Sequence, residues 1–270
     1  MKMYFDPKNK GKQTAVRVFS QVILLAAGLA FRPGFCQAAS LTVVNGSFES
    51  QVVSPGFPVD TRIDSWQKAP KPAYFDEGAF GFLWDQTAGV FPNPPASASN
   101  HIDNMTGNQA AYMLAFPGVS LFQHYNTTDW RGTTHEFTPT FEVGQSYTLT
   151  LGLFGGGGID SSSSLLLSLY YLDAGNNMVT IAANQINYSA ALFPTANHFY
   201  DFSANLGTVQ ASDAWAGKQI GIALINVAGD GVGYWDLDNV RLTSVPEPQI
   251  AALLAIGGAM LFGARRRLRL

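Results

Sequence analysis

Tyr147-Thr148-Leu149-Thr150-Leu151-Gly152-Leu153 sets an apolar side chain at nearly every second position. Successive side chains of a strand point to opposite faces, so this spacing describes a half-buried strand and not a helix. The same period recurs, with denser apolar content, in Leu165-Leu166-Leu167-Ser168-Leu169-Tyr170-Tyr171-Leu172. It recurs again in Gln219-Ile220-Gly221-Ile222-Ala223-Leu224-Ile225-Asn226 and Gly233-Tyr234-Trp235-Asp236-Leu237. Turn residues punctuate these runs, and Asp173-Ala174-Gly175-Asn176 between two of them predicts a hairpin. No long amphipathic helix and no propeller or solenoid repeat is visible. Spaced strands with such turns predict an all-β domain, a β-sandwich with long loops.

The loops concentrate in the first half, where Pro55 to Pro58, Pro70 to Pro72 and Pro92 to Pro95 break the pattern. Surface loops of this kind often carry binding residues. Gly155 to Gly158 lacks the Lys-Ser/Thr of a phosphate-binding loop and reads as turn punctuation, with the serine run Ser161 to Ser164 as a flexible loop behind it.

Both ends of the chain read as addresses. Lys2, Lys8, Lys10, Lys12 and Arg17 precede an apolar stretch from Val18 to Phe31, and small residues follow at Ala38, Ala39 and Ser40. Basic region, short apolar region and small-residue exit predict a signal peptide over residues 1–39, cleaved after Ala38 or Ala39. The single cysteine, Cys36, lies inside that leader, so the exported chain is expected to rely on its core and not on disulfides. At the other end, Pro246-Glu247-Pro248 precedes an apolar run from Ile250 to Ala264 and then Arg265, Arg266, Arg267 and Arg269. This layout predicts a membrane-targeting segment over 246–270, with a short apolar transmembrane helix of about 15 residues whose arginines stay on the cytoplasmic side of the inner membrane.

Between the addresses lies a domain expected at 40–245. It carries six Lys and Arg against 17 Asp and Glu, a net charge near −11, although the whole chain reads −3. Such a surface repels phosphate backbones, which argues against a nucleic-acid partner.

Pro246-Glu247-Pro248, the apolar helix and the arginine cluster resemble the PEP-CTERM sorting signal. That resemblance implies an exosortase-type membrane protease as partner, removal of the tail, and delivery to the cell surface or an exopolysaccharide-rich matrix. Inside the domain, Val44-Asn45-Gly46-Ser47-Phe48-Glu49 and Tyr234-Trp235-Asp236-Leu237-Asp238-Asn239-Val240-Arg241-Leu242 resemble the first and last strands of jelly-roll, galactose-binding-like carbohydrate modules. The step from Leu237 to Val240 breaks the alternation at Asp238-Asn239 and predicts a bulge. The resemblance implies a jelly roll in which Glu49 and Asp238 help to hold a structural calcium, an ion that suits hard oxygen ligands. The same two carboxylates also read as plain turn residues.

Aromatic rings stack on sugars, and carboxylates hold hydroxyls. Trp84 beside Asp85, and Trp130 beside Asp129, are the candidate ligand-binding groups, with core packing as the alternative for each ring. Catalytic signals are faint. His101, His124, His135 and His198 lack metal-type spacing, no Gly-x-Ser-x-Gly element occurs, and Asp76-Glu77 point apart. The expectation is therefore an exported, non-catalytic surface or matrix protein associated with polysaccharide. The alternatives are a purely structural surface component with protein partners and a polysaccharide hydrolase.

Overall fold

The computed structural model describes residues 37–247. These residues hold thirteen strands: β1 (Ala39–Leu41), β2 (Gln67–Lys68), β3 (Ala88–Pro92), β4 (Gln109–Leu114), β5 (Ser120–Gln123), β6 (Thr128–Asp129), β7 (Gly132–Thr133), β8 (Gln145–Gly156), β9 (Ser164–Leu172), β10 (Met178–Asn187), β11 (Tyr200–Leu206), β12 (Gly221–Ala228) and β13 (Tyr234–Pro246). One sheet runs β11-β8-β13-β4-β3, with β1 also paired to β13. The other runs β10-β9-β12-β5-β2, and β6-β7 forms a small ribbon. All pairings are antiparallel. Among the described residues, helix is confined to single turns at Glu77–Phe80 and Trp84–Thr87.

The two sheets face each other as a β-sandwich, and the alternation explains why. Leu149, Leu151 and Leu153 of β8, Met113 of β4, and Trp235 and Leu237 of β13 are all fully buried. They share one apolar core with Leu165, Leu167 and Leu169 of β9 and Ile222 and Leu224 of β12. Each such side chain contributes about 1.5–3 kcal/mol on leaving water. The expected hairpin is present, with Met178 opposite Leu172 across the Asp173–Asn177 turn. The expected bulge is present too: the β13–β8 register shifts between Asp238 and Arg241, and Asn239 takes a φ of 52°.

Two local expectations need correction. Val44 to Glu49 is not a first strand but a run of turns, because Asn45 (φ 49°) and Phe48 (φ 58°) are left-handed, which strand geometry excludes. The strand beside β13 is β1, with Ala39 opposite Ser244. The turn run meets β13 at the bulge instead: the Val240 amide donates to the Gly46 carbonyl at 2.7 Å. A Cβ on Gly46 would lie 2.5 Å from the Val240 oxygen, so only glycine permits this approach. The serine run is also more structured than a loop, since Ser163 and Ser164 are buried and Ser164 begins β9.

At the C-terminal side, Pro246 is the last residue of β13, in register with Gln145. The Glu247 amide donates to the Gly144 carbonyl at 2.9 Å. Pro248, the apolar run, Arg265, Arg266, Arg267, Arg269 and nearly all of the expected signal peptide lie outside the described residues. Among the described residues no helix is long and apolar enough to cross a membrane.

Candidate active site

A cavity of about 900 Å³ opens on the outer face of the β8-β13-β4 sheet, the side away from the core. Alternation along β13 turns Trp235 and Leu237 into the core and leaves Tyr234 and Asp236 on the cavity side. Leu114 and Tyr112 of β4, Phe154 of β8 and Phe91 of β3 join them by the same rule. Loops roof this face. Asn93, in the Pro92–Pro95 loop, clasps Ile102 through both ends of its amide, at 3.0 and 2.9 Å. Asn197 donates to Ser99 at 2.9 Å. Ile102, Phe199 and Ala110 form a small second core under this roof.

Asp236 is the chemically distinctive group. It stands in register with Phe154 on one neighbouring strand and Tyr112 on the other, so an aromatic side chain flanks it on each side. Only 4% of the residue is exposed, and its Oδ1 has no hydrogen-bond partner. Burial without donors disfavours the carboxylate, and the Asp236 carboxyl is pushed well above the ordinary range. Such a shift favours the protonated acid, which stands ready to give up a proton inside an aromatic-walled chamber. Tyr234, two residues away on the same face, is also raised, by burial and by the charge of Asp236. Burial and the charges of Asp85 and Asp60 push Tyr112 up to about 12, and its hydroxyl donates to the Gln86 carbonyl at 3.2 Å.

The glycine tract belongs to this chamber. Gly155 and Gly156 are the last residues of β8, opposite Trp235 and Tyr234. A Cβ on Gly155 would lie 2.6 Å from the Tyr188 ring, and one on Gly156 would lie 2.7 Å from the Tyr234 ring. The missing side chains are the space that these rings occupy.

The structure also places Glu49 and Asp238 within electrostatic reach of each other. Glu49 Oε1 accepts the amides of Asn108 and Gln109 at 2.7 and 2.6 Å. Asp238 accepts the amides of Thr106 and Asn239 at 2.5 and 2.6 Å. Burial first, and the charge of Glu49 in smaller part, push the Asp238 carboxyl up to about 7. No group of three or more His, Cys, Asp or Glu suited to a metal occurs among the described residues.

The aromatic candidates lie elsewhere. Trp84 is buried, with its ring 4.9 Å from that of Phe75 and its Nε1 donating to the Ala69 carbonyl at 2.8 Å. Asp85 pairs with Lys68 at 3.0 Å. Trp130 is half exposed, donates to Asp64 at 2.7 Å and carries the Arg62 guanidinium 5.0 Å above its ring. None of the three lines the cavity. Asp236 escaped notice because an outward position on a sandwich strand ordinarily means solvent. The signal available was its place between Trp235 and Leu237, a carboxylate inside a densely apolar strand.

Comparison with known proteins bears on this geometry. The HpiC1-like family model, described as HpiC1 cyclase, matches residues 39–243. No curated protein sequence matches significantly. Among solved structures, a cyclase from Fischerella sp. TAU superposes with a TM-score of 0.55 at 22% identity, covering 78% of this chain and 99% of its own. The Stig cyclase FisC from the same organism, in complex with (3Z)-3-(1-methyl-2-pyrrolidinylidene)-3H-indole, gives 0.54 at 23% identity, covering 78% and 100%. A Fischerella sp. TAU cyclase in complex with 4-(1H-indol-3-yl)butan-2-one gives 0.54 at 22% identity, covering 77% and 98%. At these identities the superpositions show a shared fold. The family match overturns the expectation of a non-catalytic, polysaccharide-associated surface protein: a cyclase family is a family of enzymes, and the built chamber lies on the sheet face and not at Trp84 or Trp130. With the match spanning nearly the whole described domain, the chain belongs to the HpiC1-like cyclase family.

Proposed function

We propose that the protein is a cyclase that closes rings in an unsaturated, largely apolar substrate bearing an aromatic group, with Asp236 as the proton donor. The observation that carries this reading is the partnerless, neutral-leaning Asp236 carboxyl in an aromatic chamber large enough for a drug-sized molecule. Indole ligands in the structurally similar Fischerella cyclases support an aromatic substrate.

The step is balanced as an isomerisation. The Asp236 O–H bond breaks and a C–H bond forms at one end of a double bond, leaving a cation at the other. A second π bond attacks that cation, closing the ring and displacing the charge. Loss of a proton from the neighbouring carbon to the Asp236 carboxylate restores both the acid and a neutral product. The faces of Phe91, Phe154, Tyr112 and Tyr188 stabilise the passing cation and keep water from quenching it. The test is to supply indole-bearing polyenes in deuterated water. A ring-closed product carrying one carbon-bound deuterium, and otherwise isomeric with the substrate, is the expected result. Cyclisation with no deuterium uptake would remove Asp236 from the chemistry.

Calcium is part of the same proposal, as a structural ion held by Glu49 and Asp238 together with main-chain carbonyls. Two carboxylates close enough to disfavour each other's charge suit a cation between them. Without the ion, Asp238 holds a proton in the folded state up to about pH 7, whereas an unfolded aspartate releases it near 3.9. Its contribution to stability is therefore full below about 4 and is lost as pH rises through about 7. At pH 8, calcium at about 100 times its dissociation constant is expected to add about 2.7 kcal/mol, or roughly 5–10 °C of melting temperature. Glu49→Gln should remove most of that shift. A melting curve insensitive to millimolar calcium would sink the ion. Delivery by the two terminal addresses, with an exosortase-type protease acting on the tail, completes the proposal on sequence grounds, and fractionation of the expressing cell tests it.

A further inference from the structure

The chamber holds a second polar group whose setting points to a role distinct from proton donation. Tyr234 and Asp236 occupy alternate positions of β13 and face the same cavity, about 7 Å apart along the strand. The Tyr234 ring lies against glycine backbone. Gly156 is its register partner on β8, and a Cβ on either Gly156 or Gly157 would collide with the ring. Behind it, Gly233 takes a φ of 86° and would collide with the Ile159 backbone if it bore a side chain. Gly156 and Gly157 thus leave the room that the ring fills. Its hydroxyl has no hydrogen-bond partner among the described residues. Of the other tyrosines of this wall, Tyr112 donates to Gln86, whereas the Tyr188 ring stacks on Phe193 at 5.5 Å and meets Trp235 edge-on at 6.0 Å and, unlike Tyr234, does not stand beside Asp236 on β13.

We propose that the Tyr234 hydroxyl is the specificity-determining donor of the cavity: it binds a carbonyl oxygen or imine nitrogen of the substrate and thereby sets which carbon lies at Asp236. Of the asparagines in the lining, Asn93 and Asn197 are already engaged with Ile102 and Ser99, and the apolar walls give little orientation because burial is non-directional. A fixed donor and a fixed acid projecting from alternate positions of one strand define a direction, and a site built around such a donor discriminates against ligands that lack the acceptor. The inference rests on Asp236 being the proton donor, since it assigns Tyr234 to a polar atom near the protonated carbon of the same substrate.

Calorimetric titration of the full chain with two probes tests it: 4-(1H-indol-3-yl)butan-2-one, which offers a carbonyl, and 3-butylindole, which does not. The wild-type chain is expected to bind the ketone about 3- to 10-fold more tightly, the worth of one net neutral hydrogen bond. Tyr234→Phe should erase that preference while binding 3-butylindole unchanged. Gly157→Ala should erase it with the hydroxyl still present, because the added methyl displaces the ring. In turnover, Tyr234→Phe should raise KM and alter the ratio of product isomers while keeping kcat within a few-fold. Absence of a ketone preference in the wild-type chain overturns the inference, as does its survival in Tyr234→Phe. An equal loss of both probes in that variant also overturns it, since it would mark a ring that only packs. Asp236→Asn separates the two readings. It should keep the ketone preference while losing turnover, and retained turnover would refute the acid without touching Tyr234.

Discussion

Asp236→Asn is expected to lower turnover by about 10²–10⁴-fold, the range that one positioned general acid supplies, with the fold unchanged. Asparagine matches the carboxyl in shape, so the walls formed by Tyr112 and Phe154 have no reason to move. It cannot release a proton, and the cation is never formed. The pH dependence should change with it. Asp236 works only while protonated, so wild-type turnover should fall as pH rises through its elevated pKa, and the residual activity of Asp236→Asn should lack that limb. Stability should move the opposite way. The folded carboxyl keeps its proton at pH values where the unfolded chain, titrating near 3.9, has lost it. Its contribution to stability is therefore full below that value and is lost as pH climbs toward the folded pKa. At pH 8 the asparagine variant should melt no lower than wild type. Turnover equal to wild type would dismiss the acid. A lowered melting temperature would instead recast Asp236 as a structural group.

The largest loss of stability is expected at Trp66→Ala, about 3–5 kcal/mol. At about 2–4 °C per kcal/mol for a domain of this size, the melting temperature should fall by roughly 6–20 °C. Trp66 is 1% exposed, its ring centroid lies 5.5 Å from that of Phe48, and its Nε1 donates to the Asn45 carbonyl at 3.1 Å. The substitution opens a cavity and also strips the donor from a left-handed turn. That turn leads into Glu49, so the calcium response should weaken as well. Trp66 does not line the cavity, so turnover per folded molecule should survive. A drop of under about 2 °C would mean that the turn is held by other contacts.

The strands were legible because a period of two is a local property. Leu149, Leu151 and Leu153 announce their buried face without reference to anything distant, and the slip at Asp238-Asn239 announces the bulge. The site was less legible because it is made by contacts far apart in sequence. Alternation assigns Asp236 to the outer face of its sheet, but only the Asn93–Ile102 clasp and the Asn197–Ser99 bond reveal that loops roof that face. The glycine tract misled for a related reason. Without the register that sets Gly156 opposite Tyr234, four glycines read as a turn and not as room reserved for rings. Trp84 illustrates the converse: a tryptophan next to an aspartate looks like a sugar platform until its partners, Phe75 and the Ala69 carbonyl, are known.

The pairing of Ala39 with Ser244 has a topological consequence. Paired strands run about 4.8 Å apart, so the described domain begins and ends at almost the same point, and its backbone is nearly a closed ring. Such a ring can be opened anywhere that an exposed turn tolerates a break, and Asp173–Asn177 between β9 and β10 is such a turn. A short linker across the old ends would then give a circular permutant in which β13 still carries Tyr234 and Asp236 on one unbroken strand.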